Sequence, residues 1–127
     1  EEVRVVADQF GCPTWTGDLA TALLNIVEQI AHNRARIQWG TYHFCGSGET
    51  TWHGFAEAIV AEGRQREPLQ VKRIIPITTA EYPTPAARPA WSVLDCGKIE
   101  RNFGIAANKW QDGLSAMVSE LYSAREQ

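Results

Sequence analysis

A short polar segment, DQFGCPT, follows the apolar run at residues 3–7. Asp8 and Gln9 bring hydrogen-bond acceptors and an amide donor, and Gly11 and Pro13 are residues that shape tight turns. At the carboxyl end of a parallel strand, such side chains face the crevice in which open α/β sheets bind ligands. The same side chains can instead bond the backbone of their own turn. The residues alone support a ligand-binding rim and a self-bonded turn equally.

A second segment with binding chemistry is YPTPAARPAWS, at residues 82–92. Its guanidinium, on Arg88, suits bidentate pairing with phosphate or carboxylate, and prolines stiffen the backbone on both sides. Trp91 offers a flat apolar face to a base or sugar, and Ser92 follows it. The alternative is a surface loop with a solvated arginine, which the residues by themselves favour.

Catalytic and cofactor motifs are missing from the sequence. No tyrosine is followed four residues later by lysine, and neither G-x-S-x-G nor H-E-x-x-H occurs. The turn GSGETT, at residues 46–51, lacks the third glycine of G-x-G-x-x-G, so a plain helix-opening turn is favoured over a dinucleotide site. We therefore predict no catalytic and no cofactor-binding residue in this chain.

The three cysteines, Cys12, Cys45 and Cys96, are far apart in the sequence and form no C-x-x-C pair. An odd, scattered set is typical of reduced thiols in a cytoplasmic protein, and no spacing with histidine supports zinc. We expect buried thiols and no metal ligand.

The overall composition describes an ordinary globular chain. Its 127 residues suit one domain or part of one, with 44% hydrophobic and 21% charged residues and a net charge of −3. The acidic balance argues against nucleic acid. No apolar run reaches the roughly 20 residues that span a bilayer, and no signal-peptide pattern begins the chain. The abrupt, strand-like start is typical of a fragment.

Hydrophobic periodicity predicts an α/β fold with at least one parallel strand pair. Thr16 or Asp18 is expected to cap the first helix, and Asp95 and Gly104 to bound a short helix. Pro76 is expected to place its strand at an edge or to end it. The predicted strands are residues 3–7, 41–45 and 71–77, and the predicted helices are residues 18–32, 51–62, 96–103 and 109–124.

Three longer motifs, in order, resemble one family. VVADQFGCPTWTGDLA, GTYHFCGSGETTWHGFAEAI and ITTAEYPTPAARPAWSVLDCGKIERNFGI are similar to the C-terminal part of the dTDP-4-dehydrorhamnose reductases, which are extended short-chain dehydrogenase/reductases. The resemblance covers nearly the whole chain. It implies the C-terminal part of a Rossmann-like NAD(P) enzyme: last strand–helix units of the sheet in residues 1–66 and a small helical and irregular substrate-binding subdomain in 67–127.

The resemblance also implies a function. The family reduces the 4-keto group of dTDP-4-dehydro-L-rhamnose with NADPH, making dTDP-L-rhamnose for surface polysaccharide such as O-antigen. Its cofactor turn and Tyr/Lys pair lie in the N-terminal portion, so this chain alone is expected to be inactive. NADPH is a cofactor of the whole enzyme, and the family's Mg²⁺ dependence maps to no acidic cluster here.

The site implied by the resemblance has two sides. Gln9, Pro13 and Thr14 are expected to line one side of a dTDP-sugar crevice, and Arg88, Trp91 and Ser92 the other, with Arg88 on the diphosphate. Expected partners are the dTDP-sugar and a second copy of the chain bound through the exposed sheet edge. Binding to nucleic acid or to a membrane is not expected. A nucleotide-sugar binding module without chemistry, or a regulatory subunit, remains an open alternative.

Overall fold

A computed structural model describes residues 1–125 as an α/β arrangement of short strands and four longer helices. The strands are β1 (Glu2–Val6), β2 (Phe10–Gly11), β3 (Thr50–Thr51) and β4 (Arg73–Ile77). The α-helices are α1 (Thr16–Asn33), α2 (Trp52–Arg64), α3 (Gly97–Phe103) and α4 (Trp110–Arg125). Two 3₁₀ turns cover Arg34–Arg36 and Thr79–Glu81.

The two longest strands, β1 and β4, form a parallel pair, as the sequence predicts. Their register runs from Glu2 opposite Arg73 to Val6 opposite Ile77, and the last pair is buried. In a two-stranded sheet each strand has one unpaired side, so Pro76 can be accommodated without a ladder bond to donate. The prediction of an edge strand there is confirmed. β1 lies in the first predicted part of the chain and β4 in the second, so the strand pair crosses the predicted division at residue 66. That division stays a prediction.

A second, antiparallel pair joins the polar turn after β1 to the start of α2. Phe10 lies opposite Thr51 and Gly11 opposite Thr50, and Phe10 also forms a bridge with Trp91. Three distant parts of the sequence therefore meet at the carboxyl end of β1.

The predicted strand at residues 41–45 is wrong as a strand. This segment is irregular, and residues 41–46 make no backbone-to-backbone hydrogen bond within the described part of the chain. Its alternating apolar side chains, Tyr42 and Phe44, nevertheless pack against a buried cluster. The alternation thus reports burial of one face, whereas a strand also needs a neighbouring strand.

The ends of α1 and α3 differ in how far they match the predicted capping residues. α1 begins after Trp15, whose side chain makes no capping bond, so the predicted cap at Thr16 or Asp18 is wrong. Asp18 instead accepts a 2.9 Å hydrogen bond from the Asn108 amide. Asp95 was predicted to cap α3, but the capping position is Cys96, one residue later; Asp95 still accepts the N–H of Gly97, the first helical residue, at 2.8 Å. Gly104 ends α3 with φ of 66°, as predicted.

Two buried clusters hold the helices in place. Ala22 of α1 packs with Ile99, Phe103 and Ile105 around α3, and α4 packs on α2 through the side chains Trp110, Leu114 and Val118. Outside these clusters α1 has an exposed apolar side, made by Leu19, Leu23, Leu24 and Val27. None of the helices in residues 1–125 combines the length and apolar character that a bilayer-spanning segment needs.

Candidate functional site

A cavity of about 430 Å³ lies at the carboxyl end of β1, and we call it the turn cavity. Polar side chains and backbone from the DQFGCPT turn form one wall, and α2 and the proline-rich segment form the others. Its lining residues are Gln9, Gly11, Cys12, Pro13, Thr14, Phe44, Cys45, Thr50, Thr51, Trp52, Phe55, Ser92 and Leu94. Four residues predicted from the sequence, Gln9, Pro13, Thr14 and Ser92, are thus brought together.

A second cavity, of about 520 Å³, adjoins the first, and we call it the arginine cavity. It is lined by Arg4, Val5, Val6, Gln9, Trp52, Tyr82, Thr84 and Arg88. Gln9 and Trp52 line both cavities, so the two are neighbours, and we refer to them together as the cleft. The cleft combines an apolar and neutral polar part with a part that carries two guanidinium groups.

Asp8 and Gln9 are both held by Thr79, which follows β4. The Asp8 carboxylate accepts the Thr79 N–H at 2.9 Å and its hydroxyl at 2.7 Å, and the Gln9 amide donates to the same hydroxyl at 3.0 Å. The Thr79 hydroxyl and N–H lower the pKa of Asp8. This carboxylate therefore stabilises the fold above its ordinary pKa, and the contribution is lost as the pH falls through the lowered value. Asp8 therefore links the carboxyl end of β1 to that of β4, whereas Gln9 makes the same link and also lines the cleft.

The rim of the turn cavity is fixed by contact between Pro13–Thr14 and Gly46. The Gly46 N–H donates to the Thr14 hydroxyl at 3.1 Å. A methyl group on Gly46 would overlap the carbonyl oxygen of Pro13, so only glycine permits this approach. Gly48 has a φ of 85°, and a methyl group there would lie 3.5 Å from the Trp110 ring. The close approach at Gly46 and the left-handed backbone at Gly48 account for both glycines of GSGETT.

Ser92 and Trp91 attach the proline-rich segment to β2. The N–H and the hydroxyl of Ser92 both donate to the carbonyl of Phe10, at 2.9 and 2.8 Å. The Trp91 ring packs on the Phe10 ring with centroids 5.6 Å apart and lines neither cavity of the cleft. Trp91, predicted as a binding residue, therefore lies beside the cleft.

The two arginines of the arginine cavity differ in their partners. Arg4 forms an exposed 3.1 Å salt bridge with Glu81, an arrangement worth little in water. Within residues 1–125, Arg88 has no carboxylate at salt-bridge distance. Its guanidinium is therefore available to an anionic ligand.

The three cysteines are adjacent in space, although the sequence separates them widely. The Cys45 and Cys96 sulfurs are 3.6 Å apart, and Cys12 lines a cavity of about 380 Å³ together with both. Burial raises the pKa of Cys45 and of Cys96. Cys45 is buried as predicted, whereas Cys12 and Cys96 are half-buried. In residues 1–125, no group of three Cys, His, Asp or Glu side chains has the arrangement of a metal site.

Trp52 is the main cleft residue that the sequence did not predict. Helical spacing places it with Phe55 on the apolar face of α2, yet its side chain is 61% exposed and faces the cleft. The signal is its position immediately after the capping residue Thr51, because side chains at a helix start lean toward the preceding turn.

The parallel strand pair, its helices and a cleft at the carboxyl end of β1 define an α/β ligand-binding unit. Residues 1–123 match the family model described as the RmlD substrate binding domain. This chain belongs to that family. The fold class expected from the resemblance is thereby confirmed.

Relatives and solved structures agree with this assignment. A dTDP-4-dehydrorhamnose reductase of Burkholderia thailandensis is 42% identical over 97% of this chain and 43% of its own length. The reductase structure from Clostridium acetobutylicum matches with a TM-score of 0.81 and 33% identity, over 95% of this chain and 39% of that one. The Bacillus anthracis reductase, solved in complex with NADP, matches with a TM-score of 0.76 and 30% identity, over 94% and 38%. The chain thus spans about two fifths of these relatives.

Proposed function

We propose that this chain is the substrate-binding portion of an NADPH-dependent reductase that converts dTDP-4-dehydro-L-rhamnose to dTDP-L-rhamnose in the cytoplasm. The family assignment and the names of the relatives support this proposal. The observation that carries it is the pairing of two cavities at the carboxyl end of β1, joined at Gln9 and Trp52. Each lies within the range of roughly 300–1,000 Å³ that small-molecule sites occupy.

The chemistry of the cleft matches the parts of a nucleotide sugar. Arg88 supplies an unpaired guanidinium for the diphosphate, and Trp52 and Tyr82 supply aromatic faces beside it. Gln9, Thr14 and Ser92 offer neutral hydrogen-bonding groups, which suit sugar hydroxyls, in and beside the turn cavity.

The chemical step belongs to other parts of the protein in this proposal. Hydride transfer needs a bound nicotinamide and a proton donor beside the carbonyl, and the sequence has neither the glycine motif nor the Tyr/Lys pair. The GSGETT turn lacks the third glycine of the dinucleotide motif, and the Pro13 carbonyl approaches its first glycine closely. We assign Mg²⁺ to no residue of this chain. The chain by itself binds and orients the substrate and does not reduce it.

Arg88→Ala is expected to weaken binding of dTDP-L-rhamnose to this chain by about 10- to 100-fold, the cost of losing hydrogen bonds to a charged group. Isothermal titration calorimetry measures the affinity. Arg36→Ala removes an exposed arginine of the Arg34–Arg36 turn, outside the cleft, and should change nothing. Equal affinities for all three proteins would remove Arg88 from the site.

The reductase assignment is tested by substitution into a relative. This chain, replacing the matching stretch of the Burkholderia thailandensis reductase, should give a chimera that oxidises NADPH with the keto-sugar, whereas the chain alone should not. Arg88→Ala in the chimera should raise KM for the keto-sugar and leave KM for NADPH unchanged. Turnover by the chain alone would contradict the proposed division of labour, and binding of dTDP-L-rhamnose without chimera activity would favour a non-catalytic binding module.

We also propose that a second copy of the chain binds through the exposed sheet edge. Each strand of the β1–β4 pair has an unpaired side, and Val3 is 40% exposed. Sedimentation velocity should show concentration-dependent association, which Val3→Lys abolishes. Val27→Lys, on the exposed side of α1, is the matched control and should leave association intact. Association lost in the control instead would assign the contact to α1, and a monomer at every concentration would contradict the proposal.

A further inference from the structure

Three cysteines from separate segments surround one small cavity, which we call the thiol cavity. Cys12 comes from the turn after β2, Cys45 from the irregular segment before β3, and Cys96 from the residue that precedes α3. Nothing in the proposed binding function needs a thiol at these positions. The proposed binding function therefore does not explain why three cysteines lie around one cavity.

Cys45 and Cys96 form the closest pair. Their sulfurs are 3.6 Å apart, which is van der Waals contact, and each sulfur also lies within 4 Å of the Leu94 carbonyl oxygen. A disulfide needs the two sulfurs at roughly 2.05 Å, so they must approach by about 1.5 Å. Neither residue lies inside a helix or a strand, so the backbone on both sides can supply that movement without breaking a ladder or helical bond.

Access to the pair comes from the thiol cavity, whose volume is about 380 Å³. Cys96 is half-buried and is the more accessible thiol of the pair, whereas Cys45 is 7% exposed. Glu49 and Glu100 also line the cavity, so an anionic oxidant such as glutathione disulfide is disfavoured. The chemistry of the cavity fits a small, uncharged oxidant.

We propose that Cys45 and Cys96 are a thiol–disulfide modification site that closes in response to small neutral oxidants. With a diazenedicarboxamide such as diamide, the Cys96 sulfur adds to the N=N bond, and one nitrogen takes up a proton. The Cys45 sulfur then attacks the Cys96 sulfur, the S–N bond breaks, and the second nitrogen takes up the second proton. Two thiols are oxidised to one disulfide, and the diazene is reduced to a hydrazine.

The closed form joins two segments of the cleft wall. Cys45 lines the turn cavity, and Leu94, two residues before Cys96, lines it as well. A bond between residues 51 positions apart in the sequence therefore ties the irregular segment before β3 to the start of α3. Because buried thiols with raised pKa values react slowly, the pair should remain reduced until an oxidant is added.

The test is diamide treatment of the 127-residue chain at low protein concentration, followed by blocking of free thiols and peptide mapping by mass spectrometry. We expect two of the three thiols to be lost and a peptide that joins Cys45 to Cys96, restored to free thiols by a phosphine reductant. Cys96→Ser should keep all remaining thiols free, and Cys12→Ser should give the same crosslink as the native chain. A Cys12–Cys45 product, crosslinks only between chains, or three free thiols after treatment would overturn the proposal.

The peptide map of the native chain does not depend on whether any variant folds. It also does not depend on the reductase assignment, because no nucleotide sugar enters the experiment. A failed titration with dTDP-L-rhamnose and a failed crosslink therefore have separate meanings.

Discussion

Gly46→Ala is expected to destabilise the chain by about 3 kcal/mol and to weaken nucleotide-sugar binding at the same time. The added methyl would overlap the Pro13 carbonyl oxygen and would come close to Trp110 as well. Overpacking between backbone segments costs about 1–3 kcal/mol, and the hydrogen bond from the Gly46 N–H to Thr14 is worth about 1 kcal/mol more. Urea unfolding followed by circular dichroism measures the first effect, and titration calorimetry the second.

Gly104→Ala is the comparison for this variant. A methyl there meets nothing within 4 Å, although the left-handed backbone, with φ of 66°, costs about 1–2 kcal/mol for alanine. The Gly104 variant should therefore lose less stability and keep its affinity. If the Gly46→Ala variant has the same urea midpoint of unfolding as the native chain and binds the nucleotide sugar with the same affinity, the contact between Pro13 and Gly46 does not shape the turn cavity.

Trp110→Ala is expected to have the largest effect on stability, a loss of about 3–5 kcal/mol. The ring is 8% exposed, stands edge-on to Phe55 with centroids 5.8 Å apart, and belongs to the buried cluster with Leu114 and Val118. Its removal leaves a cavity between α2 and α4. Since small domains have about 5–15 kcal/mol in total, the variant should be close to unfolding.

Trp39→Ala provides the matched control, because Trp39 is 63% exposed. Its ring makes a cation–π interaction with Arg34, whose Cζ lies 5.7 Å from the ring centroid. Its loss should cost about 0.5–1 kcal/mol. Circular dichroism is the suitable probe, since tryptophan fluorescence changes with the substitution itself. A Trp110 variant as stable as the Trp39 variant would mean that α2 and α4 are held together elsewhere.

The helices could be predicted from the sequence because their signals are local. The spacing of Trp110, Leu114 and Val118 by one or two turns marks the buried face of α4, and Gly104 marks the end of α3 without reference to any other segment. The segment at residues 41–45 was wrongly predicted as a strand because alternation shows only that one face is buried. Whether a ladder forms depends on a neighbour that no local pattern specifies.

The site shows the same contrast between features with a local sequence signal and features that depend on the packing of distant segments. The position of a polar turn after a parallel strand marked the DQFGCPT segment as a possible rim of the crevice, and the resemblance to the reductases implied Gln9, Pro13 and Thr14 as its lining residues. The contact of Cys45 with Cys96 has no local signal, since it is created by the packing of segments 51 residues apart. The placement of Arg88 and Gln9 in one cavity was implied only by the resemblance, because it depends on the path of an irregular segment.

The ladder between β1 and β4 has a consequence for the order of events during synthesis. Residues 2–6 leave the ribosome well before their partners at residues 73–77, which follow only after both α1 and α2 have been made. Pairing over such a separation carries a large loop-closure entropy, whereas the helices need only neighbouring residues. β1 therefore lacks this partner until β4 has been made, and until then that side of the strand is open to chaperones and to neighbouring nascent chains.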